Sequence, residues 1–171
     1  PPGLTITEIS SFDENIDELW ASISKDRHIS IVRNKEYLNW RYVSNPGEYV
    51  IYAAKRKDLL AGYIILKCEK GTSGLKLGNI VDIFAAKNQI TLIQTLVLRA
   101  IEYFRQEKID VVFSWVIKSS ELYRALNELG FISYYKKLHF AIRTIRIEYS
   151  DLIQLKNPAA WYFTMGDADG I

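Results

Sequence analysis

The stretch from Leu75 to Ile117 constrains the architecture more than any other part of the chain. "LKLGNIVDIFAA" reads as a strand. From Asn88 to Lys108 the spacing turns helical: Ile90, Ile93, Leu96, Val97, Ala100, Ile101 and Phe104 recur at three and four, while Arg99, Glu102, Arg105 and Gln106 take the other side. Then comes "IDVVFSWVI", whose unbroken apolar run predicts a central strand buried on both faces. A helix of that length is long enough to cross over the sheet and set its two strands parallel.

The upstream pattern is antiparallel. "EYVIYAAKRK" and "LLAGYIILKCEK" are strands joined by a tight hairpin at Lys57-Asp58, and "GTSG" turns the second into "LKLGNIVDIFAA". Before them, "LTITEIS" alternates as a half-buried first strand. "SSFDENIDELWASISKD" is a helix with Ser11 or Asp13 as N-cap and with Ile16, Leu19, Trp20 and Ile23 on one face. The connector "RHISIVRN" leads to "KEYLNWRYVSNP", a second helix that Asn45-Pro46-Gly47 ends. After the apolar strand, "SSELYRALNELG" is a capped helix closed by Gly130. "FISYYKKLHFAIRTIRIEYS" is expected to be one long strand or a hairpin arm, with a last strand near Tyr162. The sum is a single α+β domain over 1–171: a mixed, mostly antiparallel sheet with helices on both faces.

Composition narrows the function. A net charge of +2 with interspersed signs argues against a nucleic-acid groove. One cysteine, Cys68, excludes an internal disulfide and any zinc site built on cysteine pairs; it reads as a strand residue. No apolar run approaches the ~20 residues of a membrane span, and no signal-peptide pattern opens the sequence, so a cytoplasmic location is expected. The chain begins Pro-Pro rather than Met and is expected to be a piece of something longer.

The element order, together with "ELYRALNELGF", resembles the GNAT superfamily of acyl-CoA-dependent N-acyltransferases. "EYLNWRYVSNPGEY" and "WYFTMGDADGI" are similar to stretches of GNAT-like proteins found among surface-polysaccharide genes, often as the second half of a tandem pair. The resemblance implies an acetyl-CoA or other acyl-CoA donor, an amine acceptor on a small molecule or glycan, and a preceding GNAT domain. It implies donor contacts at Ile83, Phe84, Lys87, Asn88, Gln89 and Ile90.

Two departures from that family stand out. GNAT enzymes carry a loop resembling Q/R-x-x-G-x-G/A before the long helix, where glycines let the backbone close on a pyrophosphate. Here the loop is "AAKNQIT", without glycine, though Asn88 is a competent N-cap and the helix dipole remains. Many of these enzymes also place a Tyr four residues before the Gly-Phe pair to protonate the departing thiolate. That position is Leu126, and Tyr123, one turn earlier, is either a substitute acid or a packed aromatic. A cofactor-free, catalytically degenerate domain that binds a glycan or packs on a partner domain is the rival reading. Transfer from an aminoacyl-tRNA is disfavoured by the missing basic groove.

The acceptor wall implied by the resemblance holds Tyr37, Trp40, Arg41 and Tyr42. Aromatic faces stack on sugar rings, and Arg binds carboxylate or phosphate bidentately; alternatively Trp40 anchors the core and Arg41 pairs with a carboxylate. Asp82 interrupts the apolar strand "NIVDIF", so it is either paired with a buried cation or poised as a catalytic base beside the cleft. Trp115 lines that cleft or the core. "GDADG" is read as a turn, since a calcium loop needs about twelve residues. His28 and His139 have no metal-ligand spacing, and no metal is expected.

Overall fold

The computed structural model describes residues 3–25, 29–86, 88–134 and 149–168. Five strands form one sheet in the order β1-β2-β3-β4-β5: Leu4–Ile9, Tyr49–Arg56, Leu59–Lys70, Lys76–Ala85 and Val111–Ser114. The first four pair antiparallel in sequence, and β4 pairs with β5 in parallel. Lys57 and Asp58 both take positive φ, 48° and 67°, as a two-residue hairpin turn with the right twist requires. The α+β fold inferred from the pattern is the one observed.

The crossover is α3, Ile90–Gln106, with Leu92, Ile93, Leu96 and Ala100 all buried as the periodicity predicts. Its start differs from expectation. Asn88 is not the cap; it sits at φ +60°, and Gln89 takes the cap position without a side-chain bond. Likewise α1, Asn15–Ser24, is preceded by Glu14 at the cap, while Asp13 accepts from the Asn15 amide at 3.0 Å.

Two layers cover the sheet. On one face α1 and α2 (Lys35–Leu38) bury Phe12, Ile16, Leu38 and Tyr42 against Tyr63, Val81 and Phe84. On the other, α3 and α4 (Glu121–Glu128) bury Leu96, Phe104, Leu122 and Leu126 against Ile64, Leu66 and Ile80. The second expected helix does not stay α-helical. After Leu38 it widens into a π-helix over Asn39–Val43, a distortion often found at functional sites.

Three further expectations are corrected. Among the described residues β5 ends the sheet, and its burial alternates, with Phe113 39% exposed, rather than being covered on both faces. Residues 131–134 form no regular structure, and Tyr149 and Ser150, expected to end that strand, instead open a helix, α5, over Tyr149–Lys156; residues 135–148 lie outside the described residues. Near Tyr162 there is no strand, only a parallel bridge between Ile29 and Trp161.

One irregularity positions the site. Ile65 pairs with Asp82 and Leu66 with Ile80, so Val81 is an extra residue on β4. Such a bulge bends its strand and re-aims the side chains beside it.

Candidate functional site

Strands β4 and β5 part company at this bulge. Their pairing stops at Ile80 and Ser114, while β4 continues to Ala85. Residues of the C-terminal segment bridge the opening. Phe163 stacks on Trp115 at 6.5 Å, Tyr162 meets Phe84 edge-on at 5.7 Å, and the Thr164 hydroxyl donates to Asp82 at 3.0 Å.

Asp82 belongs to a fully enclosed network on the α1/α2 face. Its carboxylate accepts from Arg33 Nε at 3.1 Å and from the Tyr63 hydroxyl at 3.0 Å. Arg33 Nη2 reaches both oxygens of Asp167 at 2.8 Å, and Nη1 donates to the Ile31 carbonyl at 3.0 Å. The guanidinium also lies over the Tyr162 ring at 4.8 Å. Arg33 is 0% exposed and Asp82 1%. Burial opposes the charge on Arg33, yet Asp82, Tyr63 and Asp167 hold it well above its ordinary value. Burial, the largest influence on Asp167, raises its pKa, and Asp82 adds to it against the pull of Arg33. These directions are compatible because one cation is shared between two buried carboxylates.

The expectation that Asp82 opens onto the cleft is therefore not met. Of its two alternatives the structure has the ion pair, and Asp82 lines neither of the cavities nearby. Of the "GDADG" stretch, Gly166 and Asp167 belong to a short 3-10 turn over Met165–Asp167, with Asp167 accepting from the Thr164 amide at 2.8 Å, and residues 169–171 lie outside the described residues.

A cavity of about 270 Å³ lies beside the outer half of β4. Ile83, Ala85, Asn88, Ile93, Ser119 and Glu121 line it. Of the expected donor contacts, Ile83 and Asn88 are there. Gln89 caps α3, and Ile90 is half-buried in its first turn. Phe84 points the other way, into the α1/α2 core against Tyr63 at 5.8 Å. Lys87, His28 and His139 lie outside the described residues. A second cavity, about 550 Å³, is lined by Trp115, Tyr123, Leu126 and Ser133, and the Tyr123 hydroxyl sits 3.3 Å from Ser133 Oγ. Tyr123 and the donor contacts thus occupy different cavities.

On the acceptor wall the four candidates separate. Tyr42 is buried, with its ring edge-on to Tyr49 at 5.2 Å. Arg41 is engaged by the C-terminal segment, donating to the carbonyls of Gly166 at 3.3 Å and Ala168 at 2.7 Å. Trp40 is 63% exposed beside Tyr37, their rings 5.9 Å apart, so Trp40 is no core anchor. Among the described residues no three His, Cys, Asp or Glu side chains come together to hold a metal, and no helix is long and apolar enough to cross a membrane.

No family profile matches the chain, and no curated protein matches it. Solved structures do. Ribosomal-protein-alanine N-acetyltransferase from Brucella melitensis biovar Abortus 2308 superposes with a TM-score of 0.60, at 14% identity over 82% of this chain and 99% of that one. An aminoglycoside acetyltransferase from an uncultured soil metagenomic sample, in complex with sisomicin, gives 0.59 at 14% identity over 84% and 97%. AAC(6′)-Iy, in complex with the bisubstrate analog CoA-S-monomethyl-acetylneamine, gives 0.58 at 11% identity over 82% and 99%.

The fold is that of the GNAT acetyltransferases. At such identities the likeness is one of fold. Within that GNAT fold, sequence reasoning missed Arg33, Tyr63, Thr164 and Asp167. Asp82 itself was the signal: a carboxylate inside an apolar strand asks for a cation, and Arg33 stands at the end of the apolar connector "ISIVR".

Proposed function

We propose that this chain is an acyltransferase that moves an acyl group from an acyl-CoA thioester to an amine, with an amino sugar as the acceptor class. The observation that carries this reading is the parting of β4 and β5 beyond Ile80 and Ser114, next to the Val81 bulge, with a cavity between the outer half of β4 and the start of α3. Solved neighbours with the same fold include acetyltransferases in complex with an aminoglycoside and with a CoA-based bisubstrate analog, which supports both donor and acceptor class.

In this reading the amine nitrogen attacks the thioester carbonyl carbon, a C–N bond forms and the C–S bond breaks. The nitrogen loses its proton to solvent, and the thiolate takes one back. The chain contributes positioning and backbone dipoles along the opened edge of β4. Asp82, the base expected from the sequence, is assigned here to holding the C-terminal segment through Arg33. Tyr123 remains the candidate acid, acting from the larger cavity. Trp40 and Tyr37 offer an exposed aromatic pair for a sugar ring.

A second reading, a donor-free domain that binds a glycan or a partner domain, is favoured by one observation. Arg41 and Arg33, two cations of this face, are both occupied by the chain's own C-terminal segment. The test is binding of acetyl-CoA: at a hundredfold excess over Kd it stabilises by about 2.7 kcal/mol, which raises Tm. Release of free thiol in the presence of an amino sugar confirms transfer. No Tm shift and no thiol release select the second reading.

A further inference from the structure

A helix start offers free amides to an anion, and beside the start of α3 this chain places a carboxylate of its own. Glu121 presents both carboxylate oxygens to the Asn88 amide, at 2.9 and 3.1 Å. Asn88 adopts φ +60°, a left-handed conformation that L-residues other than Asn and Asp rarely visit. The strain at Asn88 thus serves a carboxylate already present.

Glu121 also occupies the first position of α4, directly after the Ser120 cap, whose hydroxyl accepts from the Tyr123 amide at 3.1 Å. The first-turn amides of a helix have no partners within it, and its N-terminal end is positive. One carboxylate therefore stands at two helix starts: it belongs to the first turn of α4, and it holds the Asn88 amide just ahead of the Gln89 cap of α3. Asn88, Ser119, Ser120 and Glu121 all line the cavity of about 270 Å³, which lies just below the usual span of ~300–1,000 Å³ for ligand sites. The cavity has room for part of a thioester's arm, and its phosphate end is closed by an acid.

We infer that Glu121 is a donor-specificity residue: it fills the anion position beside α3, so the site takes an acyl thioester by its pantetheine arm and gives no grip to a diphosphate. This rests on the acyltransferase reading above. A diphosphate approaching the Asn88 amide must displace Glu121 and meets its charge at close range. Like charge against like is how a site rejects one of two related ligands.

The experiment measures Kd by calorimetry for S-acetylpantetheine, acetyl-CoA and inorganic pyrophosphate, on the wild-type chain and on Glu121→Gln. The amide keeps an oxygen for the Asn88 N–H and removes the charge, and a Tm within two degrees of wild type shows that it folds; Glu121→Ala serves as a second variant. The expected result is that the wild type binds the two thioesters within threefold of each other. Glu121→Gln then tightens acetyl-CoA at least tenfold, leaves S-acetylpantetheine unchanged and acquires pyrophosphate binding. A wild type that prefers acetyl-CoA by more than tenfold overturns the inference, as does a variant with unchanged preference. If neither thioester binds either protein, the transferase reading falls, and pyrophosphate alone decides on Glu121. Binding to the variant and not to the wild type upholds its role as an internal anion, and binding to both or to neither refutes it.

Discussion

Around Arg33 two carboxylates are shut inside the protein, with side-chain exposures of 1% for Asp82 and 2% for Asp167, whereas Glu121 sits partly exposed on the opposite face of the sheet. Both regions place acid near the outer half of β4, and both fix a neighbouring segment. The difference is what each would lose on letting go. Asp82 and Asp167 have no water to fall back on, so their bonds to Arg33, Tyr63 and Thr164 are replaced by nothing. Glu121 leaves the Asn88 amide for solvent at little expense. Burial decides that the same functional group is a fastening in one place and an exchangeable stopper in the other.

The sharpest way to break this contrast is to remove the buried cation. Arg33→Met leaves two enclosed carboxylates facing each other and is expected to destabilise by about 3–5 kcal/mol in urea unfolding. A loss below about 1 kcal/mol would show that the network is not a fastening. Next comes Asp82→Asn, which keeps the shape and one acceptor but removes one of the two charge partners of Arg33. It is expected to lower stability by about 1–3 kcal/mol while leaving thiol release unchanged. A variant of full stability that has lost turnover would return Asp82 to the chemistry.

Acidity separates the two regions further. The folded-state pKa of Asp167 is raised, chiefly by burial, so the native state holds that proton more firmly than the unfolded chain. Its contribution is complete below about pH 3.9, the ordinary carboxylate value, and is lost as pH rises through the folded value. Asp167→Asn is therefore expected to flatten the decline of Tm with rising pH on the acid side, measured from about pH 3 to pH 7. Smallest is Glu121→Gln, whose effect on unfolding free energy is expected to stay within about 0.5 kcal/mol, as for other surface positions. A larger loss would make Glu121 a second fastening and erase the contrast.

How much of this could be read beforehand follows the range of the interactions. The register of α3 was legible because helical spacing is local: Leu96 and Ala100 fall where a 3.6-residue period puts them. The hairpin at Lys57-Asp58 and the Ser120 cap were legible for the same reason. Arg33 was not, since its partners stand 49 and 134 positions away and nothing near it in sequence announces them. The exposure alternating along β5 was hidden too: an apolar run states what a strand tolerates, and the neighbours of Phe113 decide what it gets. At α3 the expected cap failed because Asn88 turns left-handed, at φ +60°, with its backbone amide held by a residue 33 positions later.

The long reach of the Arg33 network also sets an order of events during synthesis. Strands β1 to β4 lie within the first half of the chain and pair with near neighbours, so they can assemble while the remainder is still being made. Arg33 and Asp82 then meet early, while Thr164 and Asp167 reach them only after 131 and 134 further positions have been made. Until that moment the cleft beside β4 stands open and an enclosed charge site is half built. Completion of the charge site and closure of the cleft are one event, and it follows the pairing of β1 to β4.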